Sequence, residues 1–386
     1  MSALILSLLL AVVTPQAQAQ APLASISRAD VDQAIDQLGS LDFPVRSQAS
    51  RTLRRAPAAQ VVPALVEAAA SHKDGYTRFR ALVLLTGFND PRAETLMLQL
   101  LTDPNDRVRA VAYGWFGEHQ NPQAAAVMLD ALDKEASEFV RPSLTRALAA
   151  YAAPDARAAM TALVTKGQDF FRSVVIEALG DETSAYALAS IADVARLDGP
   201  LQDDAVLAIG KIGDKTQLGL LAEVQRTAPR ENQPAIAAAI CLLGVNCEAH
   251  ERYLADMLRF ATENSEYQPM LRGAANGLAA LAVAGRPSAF ETLVSVGLPS
   301  RDPARAAIAL ALGTVALRNA PGMLEWIAAR EDGTAVAELL RESFDMLEED
   351  LEEERFYVTV RRLYWQAPEG SLTRRAAETL IRTLEF

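Results

Sequence analysis

The stretch Asp103-Pro104-Asn105-Asp106-Arg107-Val108-Arg109-Ala110-Val111-Ala112-Tyr113-Gly114-Trp115-Phe116-Gly117 decides the fold. Val108, Ala112, Trp115 and Phe116 recur at helical spacing, so the segment predicts a turn followed by an amphipathic helix. Asp103 can accept orphan backbone N–H groups and Pro104 suits a first turn, which places the helix start there. Gly117 stands where such a helix would stop.

The same phrase returns along the chain. With Arg109 as the ruler, a small residue lies three positions on and a large apolar one seven on. The frame recurs at Arg46, Arg78, Arg141, Arg172, Arg272, Arg305, Arg341 and Arg374, less strictly at Arg141, Arg272 and Arg341, with Gln202 and Ile236 in place of Arg. The intervals from Arg46 onward are 32, 31, 32, 31, 30, 34, 36, 33, 36 and 33 residues. A period in this range, with helical rather than alternating apolar spacing, predicts an all-α, right-handed α-solenoid of about eleven helical hairpins, elongated in shape. Helices of roughly a dozen residues are marginal alone, so neighbouring hairpins must stack and share one core. The ruler arginine is read as structural, reaching an Asp of its own or an adjacent turn, as Asp106 could serve Arg109.

Val108-Arg109-x-x-Ala112-x-x-x-Phe116-Gly117 and Leu201-Gln202-x-x-Ala205-x-x-x-Ile209-Gly210-Lys211-Ile212-Gly213-Asp214 resemble the second helix of HEAT-like repeats, in the short form of the phycobilin-lyase class. The resemblance covers nearly the whole chain after its first residues. It implies a scaffold or adaptor, since that is how most of the family serves. Gln202 and Ile236 depart from the usual Arg, and Ala149 from the usual Gly.

The net charge is −12, and residues 1–27 carry no charged side chain. An acidic surface repels phosphate backbones, which argues against nucleic-acid binding. Residues 1–19 read as a signal peptide: the apolar run Ala3–Val13 is too short to span a bilayer, Pro15 breaks it, and Ala17-Gln18-Ala19 offers small residues for cleavage. Residues 20–26 read as a flexible lead. The solenoid follows over 27–386, regular over 27–226 and looser over 227–386. No membrane insertion is expected after cleavage, and the expected location is the periplasm or exterior of a bacterial cell.

Ser27-Arg28-Ala29-Asp30 has the spacing of a capping box opening the first helix. Arg46, Arg51, Arg54 and Arg55 form a local basic cluster, read as a solvated face balanced by Asp36 and Asp42. Cys241 and Cys247 flank a turn at Gly244, and in an exported chain they are expected to form a disulfide. His250 completes a Cys-x5-Cys-x2-His pattern, but no fourth ligand stands near enough for zinc. The run Leu347–Arg355 is acidic and helix-forming, read as a solvated face, with a basic partner as the other reading. Phe356, Tyr357, Tyr364 and Trp365 bring aromatic density near the end, to seal the final stack or to form an interaction patch.

No phosphate-cradling Gly loop, Gly-x-Ser-x-Gly elbow or His-Glu-x-x-His is present, so no catalytic, cofactor or metal residue is assigned. The expected function is a non-enzymatic protein–protein interaction scaffold outside the cytoplasm, binding a protein or peptide in its concave groove. The alternatives are a lyase-like or cofactor-handling repeat protein, and a structural part of an envelope assembly. The candidate partner-binding residues are Tyr113, Arg146 and Glu177 on the second helices, and Tyr364 and Trp365 near the end.

Overall fold

The computed structural model describes residues 25–135, 137–347 and 350–386. The signal-peptide reading of residues 1–19, and most of the lead, lie outside the described residues. Among those described there are 22 α-helices, paired as hairpins, and no strand. The first pairs are α1 (Arg28–Gln37) with α2 (Phe43–Arg55), α3 (Ala58–Ser71) with α4 (Gly75–Thr86), and α5 (Arg92–Leu100) with α6 (Asp106–Glu118). Next come α7 (Pro122–Ala131) and α8 (Arg141–Ala149), α9 (Pro154–Leu163) and α10 (Asp169–Asp181), then α11 (Leu188–Ala195) and α12 (Gln202–Ile212). They are followed by α13 (Leu218–Thr227) and α14 (Gln233–Leu242), α15 (Cys247–Glu263) and α16 (Gln268–Val283), and α17 (Pro287–Gly297) and α18 (Ala304–Arg318). The last pairs are α19 (Ala320–Ala328) with α20 (Gly333–Leu347), and α21 (Asp350–Gln366) with α22 (Leu372–Thr383).

Local chemistry sets the helix starts. Ser27 caps α1 by accepting the Asp30 N–H at 3.1 Å, as the capping-box spacing predicts. In the opening stretch the cap is Asn105, which accepts from Val108 N–H, two residues later than the reading at Asp103. The Asp103 carboxylate accepts the Asn105 N–H at 2.9 Å, just ahead of the helix, and also holds Arg78 of the preceding unit. Gly117 does not end α6 either, since the helix runs on to Glu118.

Of the glycines eight after the ruler, Gly244 does follow a helix end with φ +81°, but Gly180 and Gly210 serve packing instead. A Cβ at Gly180 would lie 2.9 Å from Ala208 Cα, and one at Gly210 only 2.5 Å from Ala239 Cα. Consecutive second helices therefore touch backbone to backbone at these points, and each second helix from α4 to α22 packs on the next.

Most ruler side chains are structural, though Arg272 and Arg341 lie exposed. Arg172 reaches Asp169 of its own turn and Arg78 reaches Asp103 of the adjacent one, whereas Arg109 does not use Asp106. Arg78 Nε donates to Ala69 O at 3.0 Å, Arg172 Nε to Val164 O at 3.0 Å and Arg305 Nη1 to Leu298 O at 3.0 Å. Each carbonyl belongs to the end of the unit's own first helix, where the backbone has unsatisfied acceptors and a partial negative charge. The remaining donors of Arg109 and Arg305 fork onto Glu135 and Glu342 of the next unit, each at 2.8 Å. Gln202 fills the same place with its amide on Ala195 O at 3.1 Å. Where the ruler is Ile236, Gln233 one turn earlier reaches Gln225 O at 3.0 Å.

The solenoid is not elongated: its last hairpin returns to its first units. Arg54 of α2 meets Glu354 of α21 at 2.6 Å. Arg51 meets Glu385 at 3.4 Å, and Arg55 Nη2 donates to Phe386 O at 3.1 Å. The basic cluster of α2 is thus not a solvated face but the seat of the chain's end. From Asp350 onward the acidic run likewise faces inward, with Glu354 buried and Leu351 in the N-terminal core. Phe356 and Tyr357 seal the seam: Tyr357 stacks on Phe386 at 4.2 Å, and Arg54 lies over the Tyr357 ring at 5.1 Å.

No single helix among the described residues is long and apolar enough to cross a membrane. Cys241 and Cys247 have Cα atoms 4.2 Å apart and sulfurs at bonding distance.

Candidate functional site

Closure turns the inner face of the second helices into the wall of a cavity of about 650 Å³. One wall is α4, α6, α8 and the end of α10; the other is the end of α18, the end of α20 and the start of α21. The lining mixes apolar surface from Phe79, Val111 and Leu351 with charges of both signs.

Those charges engage one another, one pair between the walls and one within the second wall. Arg355 of α21 reaches Glu118 of α6 at 3.2 Å, and Arg318 of α18 reaches Glu352 at 3.4 Å. Burial raises the Glu352 carboxyl, but the Arg355, Arg318 and Arg146 guanidiniums outweigh it and hold the group below its ordinary value. Glu182, at the end of α10, goes the other way. Partial desolvation, with Asp181 beside it, raises the carboxyl, and Arg318 offsets this only in part. Arg107 stands at the rim, stacked over the Phe139 ring at 4.8 Å. The arrangement can grip a segment that carries charge of either sign beside apolar groups.

Of the residues singled out in the sequence, Arg146 lines this cavity. Tyr113 does not project into a groove: it is 2% exposed, because its ring is taken into the core between units. Glu177 is exposed and lies outside the cavity lining, near Asp204 of α12. Tyr364 and Trp365 form a separate aromatic pair, ring centroids 5.1 Å apart, with Arg374 over Tyr364 at 4.6 Å and Trp365 50% exposed. The five candidates therefore do not form one surface. The reading missed Glu182, Glu352 and Arg355, which come together only through closure.

His119 and His250 gather no set of metal ligands among the described residues. His119 stacks on Trp115 at 3.8 Å, and both cysteines beside His250 are engaged with each other. Among the described residues no group of three or more His, Cys, Asp or Glu could hold a metal ion.

Helical hairpins stacked one on the next, with their apolar faces buried between neighbours, define an α-solenoid. The family model for HEAT repeats matches residues 31–112 and 93–180, so this part of the chain carries HEAT-like repeats. Among solved structures it is similar to YibA of Escherichia coli, at 18% identity over 57% of this chain and 83% of that one, TM-score 0.41. It is also similar to the CpcE–CpcF complex of phycocyanin lyase from Nostoc, at 15% identity over 66% and 94%, TM-score 0.41. A third likeness is to Kap95p, in the structure of its binding to RanGDP, at 13% identity over 93% and 61%, TM-score 0.42. No curated protein sequence matches the chain.

Proposed function

We propose that the chain is a non-enzymatic scaffold that works outside the cytoplasm and holds a protein or peptide segment against the inner face of its second helices. The observation that carries this reading is the cavity of about 650 Å³ between α6–α10 and α21. Its size is that of a ligand pocket, roughly 300–1,000 Å³, rather than of an open groove for a folded domain. Its guanidiniums and carboxylates are disposed as recognition groups, set beside apolar walls. The export part rests on the apolar run Ala3–Val13 and on a cysteine pair at bonding distance, which persists best in an oxidising compartment.

The test is site-specific photo-crosslinking in the native host, with the reactive residue at Ser143 in the cavity wall and, as a control, at exposed Glu223 of α13. A discrete protein adduct from Ser143 alone, with the protein recovered outside the cytoplasm, is the expected result. Adducts from neither position, a cytoplasmic protein, or turnover of a small substrate by the purified chain would each contradict the reading.

A further inference from the structure

The seam that closes the ring is built unlike the seams between consecutive units. Neighbouring second helices meet chiefly through small and apolar groups, as Gly180 does with Ala208 and Gly210 with Ala239, and ion pairs such as Arg305–Glu342 stand beside that apolar contact. The closing seam is ionic. Glu354 of α21 meets Arg54 of α2, Asp350 meets Arg80 of α4, and Arg355 meets Glu118 of α6 and donates to Gly114 O at 3.1 Å. Among the described buried apolar side chains of the N-terminal core, Leu351 is the one that comes from beyond Leu243. The other buried apolar residues of α21, Phe356 and Val360, belong to the C-terminal core. A contact this polar resembles a transient interface more than a domain interior.

Two glycines complete the seat. A Cβ at Gly114 would lie 2.5 Å from Leu351 Cδ2, and one at Gly87 would lie 2.8 Å from Glu354 Oε1 and 3.3 Å from Val358 Cγ2. Gly114 sits inside α6, where glycine is about 1 kcal/mol less favourable than alanine, so close approach of α21 is its physical reason.

We propose that the face of α2, α4 and α6 covered by α21 is a docking site for an acidic amphipathic helix of a partner protein, and that α21 is its built-in occupant. The proposal rests on the reading that the inner face binds a protein segment, and it names the chemistry of that segment. The pattern is read from the helix already seated there. Asp350, Leu351, Glu354 and Val358 fall at i, i+1, i+4 and i+8, which is one face of a helix. The two carboxylates answer Arg80 and Arg54, and the leucine and valine enter the notches at Gly114 and Gly87. A partner helix repeating this pattern competes with α21, and its arrival opens the ring. The partner's affinity is lowered by the cost of releasing α21, so binding and opening are one equilibrium.

The probe is a fluorescent synthetic peptide of residues 350–366, added to full-length protein. The variant Asp350→Asn/Glu354→Gln loosens the resident helix and leaves Arg54 and Arg80 in place. Peptide binding to that variant at least tenfold tighter than to the native chain, weakened by salt and lost on adding Arg54→Ala, is the expected result. Equal or absent binding to both proteins overturns the proposal, and so does a dimer of the variant in which α21 is exchanged between copies. Should the variant fail to fold, hydrogen exchange on the native chain decides. Excess peptide is expected to speed exchange of residues 350–366 within the protein by at least tenfold relative to α12, and an unchanged rate refutes displacement. A Ser143 crosslink that persists alongside such a failure would spare the scaffold reading and remove this one.

Discussion

Arg54 and Glu354 stand 300 positions apart in the chain and 2.6 Å apart in space, with side chains 6% and 1% exposed. Arg54 Nε also donates to both carboxylate oxygens, at 3.0 and 2.8 Å, and its guanidinium lies over the Tyr357 ring. Burial works against a charged Arg54, yet the Glu354 carboxylate beside it keeps the guanidinium above its ordinary range. Two charges out of water are tolerated here because each is the other's partner.

Removing one partner of this pair is therefore expected to cost far more than removing both. Glu354→Gln should destabilise the fold by about 3–5 kcal/mol, and Arg54→Met/Glu354→Met should recover most of that loss. Urea denaturation of the two variants and the parent measures the difference. Equal losses from the single and double variants would mean that the pair is not coupled.

The ruler arginines are expected to act on stability. Arg109→Ala leaves Asp103 O without its donor and buried Glu135 without its guanidinium, for a loss of about 1–3 kcal/mol. Gln202→Ala should show the same kind of loss at the smaller end, because its neutral amide makes a weaker bond to Ala195 O. An unchanged melting temperature together with lost partner capture in Arg109→Ala would reverse the assignment.

The repeat was legible because it is local. Each unit states its helix starts, its ruler and its small residues within about thirty positions, and packing between neighbours uses the same residues every time. Closure was not legible. Nothing near Arg54 in the chain names Glu354, and a run such as Leu347–Arg355 has the composition of a solvated helix whether or not it is buried. The basic cluster of α2 and that acidic run were complementary features 300 residues apart, but an acidic repeat protein offers many such pairs. Gly114, a glycine in mid-helix, marked a close approach without saying to what. Tyr113 went astray for a related reason: helical spacing does not tell the two sides of a helix apart once both face neighbouring units.

Asp204 supplies a pH test. Its burial in α12, with Asp203 and Glu177 nearby, raises the carboxyl from an ordinary 3.8 to about 6, although the Ser173 hydroxyl donates to it at 2.5 Å. The native state thus binds this proton more tightly than the unfolded state does. Its contribution to stability is full below about pH 3.8 and is lost as the pH rises through about 6. Asp204→Asn keeps an acceptor for Ser173 without the charge. It should raise stability at pH 7.5 by at most about 3 kcal/mol, and the gain should vanish below about pH 4. Thermal melts of both proteins across that range read it, and a pH-independent difference would refute the assignment.

The Cys241–Cys247 pair is expected to be oxidised in the mature protein. Closing so short a loop should contribute about 2 kcal/mol on the chain-entropy model. Denatured, unreduced protein should then show no free thiol, and Cys247→Ser should melt lower by a corresponding amount. Two titratable thiols would contradict the bridge and weaken the case for export.

The central claim is that the solenoid closes on itself, and a single distance tests it most directly. Spin labels at Arg51→Cys and Glu385→Cys replace side chains that form a 3.4 Å ion pair at the seam between α2 and the chain's end. The native cysteines, engaged with each other, are left unlabelled. Pulsed dipolar spectroscopy on the doubly labelled protein is predicted to give one narrow distribution at short distance, and the same result at low and moderate salt. A broad distribution at long distance, as an open superhelix would give, would contradict the account.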